Sequence, residues 1–238
     1  MRLNADFSQG VLVHAAELPW VASPIAGVDR RMLDRIGDEV ARATSLVRYA
    51  PGSQFSQHVH GGGEEFLVLE GVFQDEHGGY PVGTYVRNPP YSAHTPASAS
   101  GCVIFVKLWQ FDPEDRTAVV CDSYALAAQL APVESEVAVV CLHADAYELV
   151  TLEDWPMGVR VDRALPAGAE LLVLDGALNL GRAGDGQRAG LLHGGETMLP
   201  QSWLRLPPGS RLTAEAGPQG CRLWCKTGHL RAVLQASD

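Results

Sequence analysis

The sequence predicts an all-β protein made of two β-barrels in tandem, and three observations support this prediction. Candidate strands are short and rich in β-branched and aromatic residues. Clusters of glycine and proline separate them, among them GGG at 61–63, NPPYS at 88–92 and PPGS at 207–210. The segment EEFLVLEG at 64–71 also returns as AELLVLDG at 169–176, which indicates an internal repeat. A chain of 238 residues has room for two small β domains.

The strands are predicted from period-two or continuous apolar patterns that end at turn residues. In chain order they are Gly10–His14, Ala43–Tyr49, Gln57–His60, Glu65–Glu70, Gly83–Arg87, Cys102–Gln110, Ala138–Leu142, Leu171–Leu174, Trp203–Leu206 and Gly220–Thr227. Helical patterns are few. Residues 29–40 (DRRMLDRIGDEV) could form one or two helical turns, although Gly37 opposes this, and residues 123–130 could form a connecting helix.

The repeat extends along most of the chain and sets the predicted domains. YVRNPPYSAH at 85–94 matches WLRLPPGSRL at 203–212, and GCVIFVKL at 101–108 matches GCRLWCKT at 220–227. The order and approximate spacing of the matches are kept. We therefore predict a first barrel over residues 1–118 and a second over 119–238, joined within the polar stretch that begins at Phe111.

Four residues of the first copy form a candidate metal site: His58, His60, Glu64 and His94. Two histidines one residue apart on a strand project from the same face. The glycines at 61–63 then allow the chain to fold back and bring a carboxylate beside them. Three imidazoles and one carboxylate suit Zn²⁺, Fe²⁺, Mn²⁺, Ni²⁺ or Cu²⁺. We expect one divalent ion per chain, with zinc as first choice and iron, manganese or nickel as alternatives.

The second copy has lost all four candidate ligands together. Counting back from Gly176 as from Gly71, the positions of His58, His60 and Glu64 carry Arg163, Leu165 and Ala169, and in the second match His94 falls on Leu212. Residues that only packed the barrel would have no reason to change as a set. A metal site in the first barrel and a degenerate second barrel without ligands explain the pattern. Glu65 competes with Glu64 as ligand, but it recurs as Glu170, which indicates a structural role.

Composition excludes some partners. The net charge of −10 disfavours nucleic acid and anionic membranes, and no apolar run approaches the ~18 residues of a membrane span. The N-terminus shows no signal-peptide layout, so we expect a cytoplasmic protein. The five cysteines are scattered and are interpreted as reduced thiols.

The motif residues resemble a known superfamily. Gly52, His58, His60, Glu64 and Gly71 have the spacing of the first cupin motif, and Gly83, Pro89 and His94 that of the second. Tyr91 and Ser98 depart from the usual glycine and asparagine, at positions that are not ligands. Over roughly residues 6–116 the chain resembles more closely the cupin sensor domain of the zinc-dependent anti-sigma factor ChrR and its stand-alone relatives.

This resemblance implies a bicupin of two jelly-roll barrels, with His58, His60, Glu64 and His94 as metal ligands. ChrR holds its sigma factor through a separate N-terminal domain with a CxxC zinc motif. No CxxC occurs in this sequence, so we expect only the sensing half.

Two main functions remain open, and we leave open whether the chain is an enzyme. The first is a sensing or regulatory module that binds a small molecule or an oxidant in the first barrel and has a regulatory protein partner. The second is a metal-dependent oxygenase or lyase acting on a small oxygenated substrate such as a β-diketone. A third reading is a binding protein with a structural metal. A homodimer is expected in each case.

Other polar residues receive default interpretations. Arg48, Tyr49, Tyr85, Tyr91 and Lys107 could line the first barrel, although a packing or surface role is the simpler reading for each. The histidines outside the motif and the acidic residues of 148–154 are interpreted as solvated surface groups; they are His14, His77, His143, His193, His229, Glu148, Glu153 and Asp154.

Overall fold

The chain is almost entirely β-structure in a computed structural model that describes residues 1–130, 136–181 and 195–235. The predicted all-β class is confirmed. Two compact units are present: Met1–Ala5 with Leu18–Tyr124, and Asp6–Glu17 with Ala125–Asp238. No helix of the described residues is long and apolar enough to cross a membrane.

The elements follow one another in short segments. Up to residue 122 the strands are Arg2–Leu3 (β1), Val11–His14 (β2), Val21–Ala22 (β3), Val28–Gly37 (β4), Ala41–Tyr49 (β5), Ser53–Gln54 (β6), His58–Val59 (β7), Glu64–Asp75 (β8), Gly78–Pro81 (β9), Thr84–Asn88 (β10), Ala93–His94 (β11), Ala97–Ser98 (β12), Cys102–Leu108 (β13) and Val119–Asp122 (β14). A 3₁₀ turn lies at Ala15–Glu17. The later strands are Ala138–Ala144 (β15), Leu149–Trp155 (β16), Arg160–Leu165 (β17), Ala169–Leu180 (β18), Thr197–Met198 (β19), Ser202–Leu206 (β20) and Ser210–Thr227 (β21), with helices Ser123–Ala127 (α1) and Leu230–Gln235 (α2).

The first unit is an antiparallel barrel whose main sheet has the order β1-β4-β5-β13-β8-β10-β14. Alternate residues of β8, such as Phe66 and Val68, face inward with Ile104 of β13 and Val47 of β5, and all four are buried. A separate two-stranded ribbon, β7 with β11, carries two of the four candidate ligands, His58 and His94, and His60 directly follows β7. The apolar interior therefore lies directly beside the candidate site.

The second unit repeats this arrangement with the order β15-β16-β21-β18-β20-β2. Its core contains Trp155, Leu171, Val173, Leu204 and Leu223. These residues occupy the strands that correspond to β5, β8, β10 and β13 of the first unit. The hydrophobic cluster of the second barrel thus consists mainly of aliphatic side chains, with one tryptophan.

The strand registers agree with the repeat found in the sequence. Leu67 pairs with Tyr85 in the first unit, and the corresponding Leu172 pairs with Trp203 in the second. His58 lies opposite His94 in the ribbon, and Arg163 lies opposite Leu212 in β17 and β21. The ligand positions of the first copy are therefore matched to those of the second at the level of individual cross-strand pairs.

Each main sheet ends in a strand that lies far along the sequence from the strand it pairs with. In the first unit β14 pairs with β10, and in the second unit β2 pairs with β20. The buried Arg87 guanidinium lies 4.0 Å from the Phe111 ring centre, and Arg205 lies 4.0 Å from that of Phe7. The segment around Phe7 thus repeats the segment around Phe111. Relative to a division at 118/119, residues 6–17 belong to the second unit and 119–124 to the first; the division itself stays a prediction.

The helix suggested for residues 29–40 is wrong, because these residues form β4 and the turn to β5. β4 pairs with β5 along its length, and a bulge between Met32 and Asp34 interrupts the register. Gly37 has a φ of 114°, which ends the strand and opposes a helix. Pairing with β5 decides the conformation of a segment whose local helix signal is weak. The connecting helix at 123–130 exists but is shorter, Ser123–Ala127.

Candidate metal centre

The four predicted ligands lie together at one end of the first barrel. His58, His60, Glu64 and His94 each offer an atom, and these atoms all lie within 4.8 Å of one another. His58 and His94 are opposite each other on β7 and β11, His60 follows β7, and Glu64 begins β8. Glu65, the next residue on β8, is not part of this cluster. The sequence spacing is therefore sufficient to bring all four donors to one point.

The spacing of the donor atoms fits a single small cation. His60 Nε2 lies 3.2 Å from His58 Nε2 and 3.4 Å from Glu64 Oε2, and His94 Nε2 lies 3.5 Å from Glu64 Oε2. Donors about 2.0–2.2 Å from a tetrahedral ion are themselves roughly 3.3–3.6 Å apart. Two imidazole nitrogens that face each other at this distance have no favourable direct contact unless they share a proton or an ion. The donor set and its spacing thus suit Zn²⁺ and the other ions predicted for it.

Ser92 fixes the tautomer of His60. Its hydroxyl donates its one hydrogen to the Pro89 carbonyl at 2.6 Å, and its oxygen lies 3.1 Å from His60 Nδ1. A hydroxyl that has already donated its hydrogen can only accept from the imidazole. The His60 proton therefore sits on Nδ1, and the lone pair of Nε2 is directed at the cluster. This is the arrangement expected for a histidine that binds a metal.

Asp75 lies beside the ring nitrogen of His94 that faces away from Glu64. Its carboxylate lies 3.4 Å from His94 Nδ1 and accepts a hydrogen bond from the Tyr80 hydroxyl at 3.0 Å. His94 is 3% exposed, and within the described part of the chain neither of its ring nitrogens has a hydrogen-bond partner of good geometry. A buried nitrogen without a partner is costly unless something else binds it. His94 Nε2 is therefore the atom of this site whose surroundings fit a metal donor most directly.

Asn88 positions the carboxylate. It lies opposite Glu64 in the pairing of β10 with β8, and its side-chain amide donates to Glu64 Oε2 at 3.2 Å. The sequence reasoning missed Asn88, Ser92 and Asp75, although two of them carry a signal. Counting along the paired strands, Asn88 corresponds to Leu206 and Asp75 to Leu180 in the second copy. These supporting residues are lost together with the ligands.

Burial keeps the imidazoles neutral. Burial, and then the neighbouring His58, lower the pKa of His60 to about 4. Burial is also the main reason that the pKa of His94 is lowered, opposed by the negative charge of Glu64. Neutral imidazole is the form that binds a metal, so both rings are ready to bind at neutral pH.

Two aromatic rings explain why the turn before Glu64 contains three glycines. A Cβ atom on Gly62 would lie 2.4 Å from the Trp109 ring, and one on Gly63 would lie 2.4 Å from the Phe111 ring. Gly63 also has a φ of 76°. The turn is thus held against β13 and the residues that follow it, which fixes the distance between His60 and Glu64.

The site is buried on one side and open on the other. His60, Glu64 and His94 are buried, whereas His58 is exposed. Tyr49 lies on the buried side near Glu64, since burial and this carboxylate raise the pKa of its hydroxyl. A small molecule could therefore reach the donors from solvent on the side of His58. Of the other residues suggested for this barrel, Tyr85 and Lys107 are buried on the opposite face of the sheet, and Tyr91 is exposed.

Several groups interpreted as solvated are in fact buried. His143 is 5% exposed in its side chain and lies 3.1 Å from Asp145, and His229 Nε2 lies 2.9 Å from Glu170. Glu148 forms a buried ion pair with Lys226 at 2.9 Å. Glu153 is 2% exposed. His193 lies outside the described residues. His229 and Glu148 have partners distant in sequence, which composition and spacing do not reveal. His143 and Glu153 have nearer partners, Asp145 and Arg163, and only the fold buries them.

Comparison with known families agrees with the motif. Residues 8–112 match the family model described as the ChrR Cupin-like domain. The match covers the candidate ligands and ends just after β13. No functionally curated protein sequence matches the chain significantly.

Solved structures match nearly the whole chain at low identity. A putative dioxygenase from Nostoc punctiforme is 15% identical with a TM-score of 0.70, covering 94% of this chain and 84% of its own. A Cupin 2 conserved barrel domain protein from Leptotrichia buccalis is 13% identical with a TM-score of 0.61, covering 92% and 96%. The pirin YhhW from Escherichia coli, in complex with nickel(II), is 12% identical with a TM-score of 0.62, covering 92% and 98%. At these identities the likeness concerns the fold.

Proposed function

Because this chain is a cupin-fold protein whose residues 8–112 match the ChrR Cupin-like domain, we propose that its first barrel binds one divalent metal ion through His58, His60, Glu64 and His94. The observation that carries the proposal is the convergence of three imidazoles and one carboxylate at 3.2–3.5 Å, with His94 Nε2 buried and lacking a hydrogen-bond partner among the described residues. Zinc is our first choice, since a four-donor set at tetrahedral spacing suits it.

The protein's own residues prepare the site before any ion arrives. Ser92 holds the Nδ1 proton of His60, so that its Nε2 presents a lone pair. The negative charge of Asp75, 3.4 Å from His94 Nδ1, favours a proton on that nitrogen of His94. Asn88 holds Glu64 Oε2. A bound divalent ion would supply Lewis acidity, and with iron also redox chemistry.

We further propose that this site serves a sensing or regulatory module. A small molecule or an oxidant would reach the site on the exposed side of His58. The resulting change in the site would alter binding of a protein partner. The ChrR match supports this reading. The paired rings of His58 and His94, with centres 5.1 Å apart, lie where the buried and the exposed sides of the site meet. A ligand that displaced His58 would therefore alter the β7–β11 ribbon directly. We propose that the module acts as a homodimer.

A metal-dependent oxygenase or lyase acting on a substrate such as a β-diketone is the second candidate. The exposure of His58 favours it, because an ion bound beside an exposed ligand can also bind substrate. The putative dioxygenase from Nostoc punctiforme shares the fold, and no more is inferred from it.

Metal analysis of the purified protein tests the site. We expect about one equivalent of metal per chain in the wild type and a loss of nearly all of it in the His58→Ala/His60→Ala variant. His77→Ala is the matched control, because His77 is exposed and lies outside the cluster, and it should retain the metal. Equal metal content in the wild type and the double variant would rule out this site.

Two further measurements separate the functions. The iron-loaded protein is mixed with β-diketones while oxygen is monitored, and the protein is used as bait in its source cell under oxidising and reducing conditions. Oxygen consumption that requires His58 and His60 favours the enzyme. A partner captured in only one redox condition, with no oxygen consumption, favours the sensor.

A further inference from the structure

The second barrel contains a cavity at the place where the first barrel has its candidate metal centre. Its volume is about 430 Å³, within the range of sites for small ligands. Arg163, Leu165 and Gly168 line it, next to Ala169. Arg163 and Leu165 stand at the positions that His58 and His60 occupy in the first copy. The loss of the metal ligands has thus left a cavity rather than a filled core.

At one end of this cavity lies a carboxylate whose hydrogen-bond acceptor positions are already used. Glu153 is buried, and its Oε1 accepts from Arg163 at 2.9 Å and from the Thr151 hydroxyl at 3.2 Å. Its Oε2 accepts from Arg163 at 3.1 Å and from the Trp155 indole at 2.9 Å. A carboxylate offers about four lone-pair positions, so Glu153 has little capacity left to accept another hydrogen bond.

Arg163 keeps donors that Glu153 does not use. A guanidinium has five N–H groups, and Glu153 accepts two hydrogen bonds from it. Within residues 1–130, 136–181 and 195–235, Glu153 is the only hydrogen-bond partner recorded for this side chain. The Arg163 side chain is 32% exposed, so a molecule in the cavity can reach it. Burial raises the pKa of the neighbouring Cys225 thiol, which therefore stays neutral.

The rest of the lining is apolar. Val139, Leu149, Leu165 and Pro166 form walls around the polar end. The cavity thus offers free hydrogen-bond donors on a cation, no free acceptor on Glu153, and apolar surface. Its preferred ligand has paired hydrogen-bond acceptors at one end, as a carboxylate does, and a hydrocarbon body.

We propose that the second barrel binds a small aliphatic or aromatic monocarboxylate, with the carboxylate on the free N–H groups of Arg163 and the hydrocarbon part against Val139, Leu149 and Leu165. Glu153 holds the guanidinium in place and does not contact the ligand. This site is independent of the metal, because none of the candidate ligands of the first barrel takes part in it.

Binding of hexanoate tests the proposal. The full-length protein is titrated with sodium hexanoate and, separately, with hexylamine at pH 7 in the presence of EDTA, and binding is followed by calorimetry and saturation-transfer NMR. We expect hexanoate to bind with a dissociation constant in the high-micromolar to millimolar range and hexylammonium not to bind. The His58→Ala/His60→Ala variant should bind hexanoate as the wild type does.

Variants locate the site. Glu153→Gln/Arg163→Met removes the ion pair without leaving a buried charge, and it should weaken hexanoate binding about tenfold or more. Arg160→Met is the matched control, since Arg160 lies on the same strand with an 82% exposed side chain, and it should not change binding. If the double variant does not fold, the Arg Nε–H spectrum replaces it. One signal that is absent from Arg163→Lys should then shift in the wild type on addition of hexanoate.

The proposal fails under any of four results. The first two are no hexanoate binding at ~20 mM and binding of hexylammonium as tight as that of hexanoate. The third is a failed variant test, which means unchanged binding in a folded double variant or, if that variant does not fold, an unshifted Arg163 signal. The fourth is loss of binding in His58→Ala/His60→Ala.

Discussion

Replacement of Ser92 by alanine tests whether the tautomer of His60 is set before metal binds. In the wild type the Ser92 oxygen accepts from His60 Nδ1 at 3.1 Å, because its own hydrogen goes to Pro89. Without that acceptor the proton can move to Nε2, where Glu64 Oε2 lies 3.4 Å away and can accept it. The metal-free protein therefore has an alternative hydrogen bond, whereas the metal-bound form has none. The cost of the change falls on metal affinity and much less on folding.

The magnitude follows from the group left unpaired. Binding metal through Nε2 in Ser92→Ala leaves a buried Nδ1–H without an acceptor, which costs about 1–3 kcal/mol. At ~1.4 kcal/mol per decade this is roughly a 5- to 150-fold loss of affinity. Removal of residues that orient metal-binding histidines lowers metal affinity about 10–100-fold, which agrees with this estimate. We expect a 10- to 100-fold weaker zinc affinity and a change of less than about 1 kcal/mol in the unfolding free energy of the metal-free protein.

Competition with a chromogenic zinc chelator measures the affinity, and urea unfolding in EDTA measures the stability. Ser92→Thr is the control, because it keeps a hydroxyl at the same position and should bind zinc within a few-fold of the wild type. The reasoning is refuted if Ser92→Ala binds zinc as tightly as the wild type. It is equally refuted if affinity and metal-free stability fall by the same amount, since the serine would then be a general packing residue.

Three further predictions concern the same barrel and the cysteines. The pKa of His60 is lowered from 6.5 to about 4, so in the metal-free protein protonation of His60 favours the unfolded chain. The contribution of neutral His60 to stability is complete above about pH 6.5 and is lost as pH falls toward 4. Urea midpoints measured across this range should therefore fall less steeply in His60→Asn than in the wild type. Gly62→Ala should lower zinc affinity at least several-fold, because its Cβ would meet the Trp109 ring at 2.4 Å and displace the turn, and a variant that binds like the wild type would contradict this. Exposed Cys141 should react with iodoacetamide at pH 8 much faster than Cys225, whose thiol pKa is raised by burial, and peptide mass spectrometry would reveal the opposite order if it occurred.

The strands and the clustering of the four candidate ligands could be predicted because their signals are local or periodic. EEFLVLEG and its copy mark β8 and β18, and the His-x-His spacing with a glycine turn brings the donors together. The 29–40 segment could not be assigned correctly, since its strand character comes from pairing with Ala41–Tyr49. The exchange of Val11–His14 into the second unit was also not predictable, because a strand's partner is set by packing and not by its own residues.

The supporting residues of the site depend on contacts across the sheet. Asp75 lies at the far end of β8 from Glu64, and only the folded hairpin brings it to His94. Asn88 reaches Glu64 through strand register. Position-by-position comparison of the two copies could have found both, because each is replaced by leucine where the ligands are also lost. Co-loss of polar residues is therefore a usable signal within a single duplicated sequence.

Glu153 shows why a buried charge must be interpreted as one member of a pair. In the first copy the corresponding position on the strand is Val47, and the position of Arg163 is His58. Arginine in place of His58 alone would put a cation beside the barrel interior with no partner. Glutamate in place of Val47 alone would bury an unpaired anion. An unpaired buried charge of either sign costs several kcal/mol. Both substitutions together give a bidentate pair at 2.9 and 3.1 Å whose charges cancel. The second barrel thus places an ion pair where the first has His58 and Val47, and this pairing is why its buried carboxylate is tolerated.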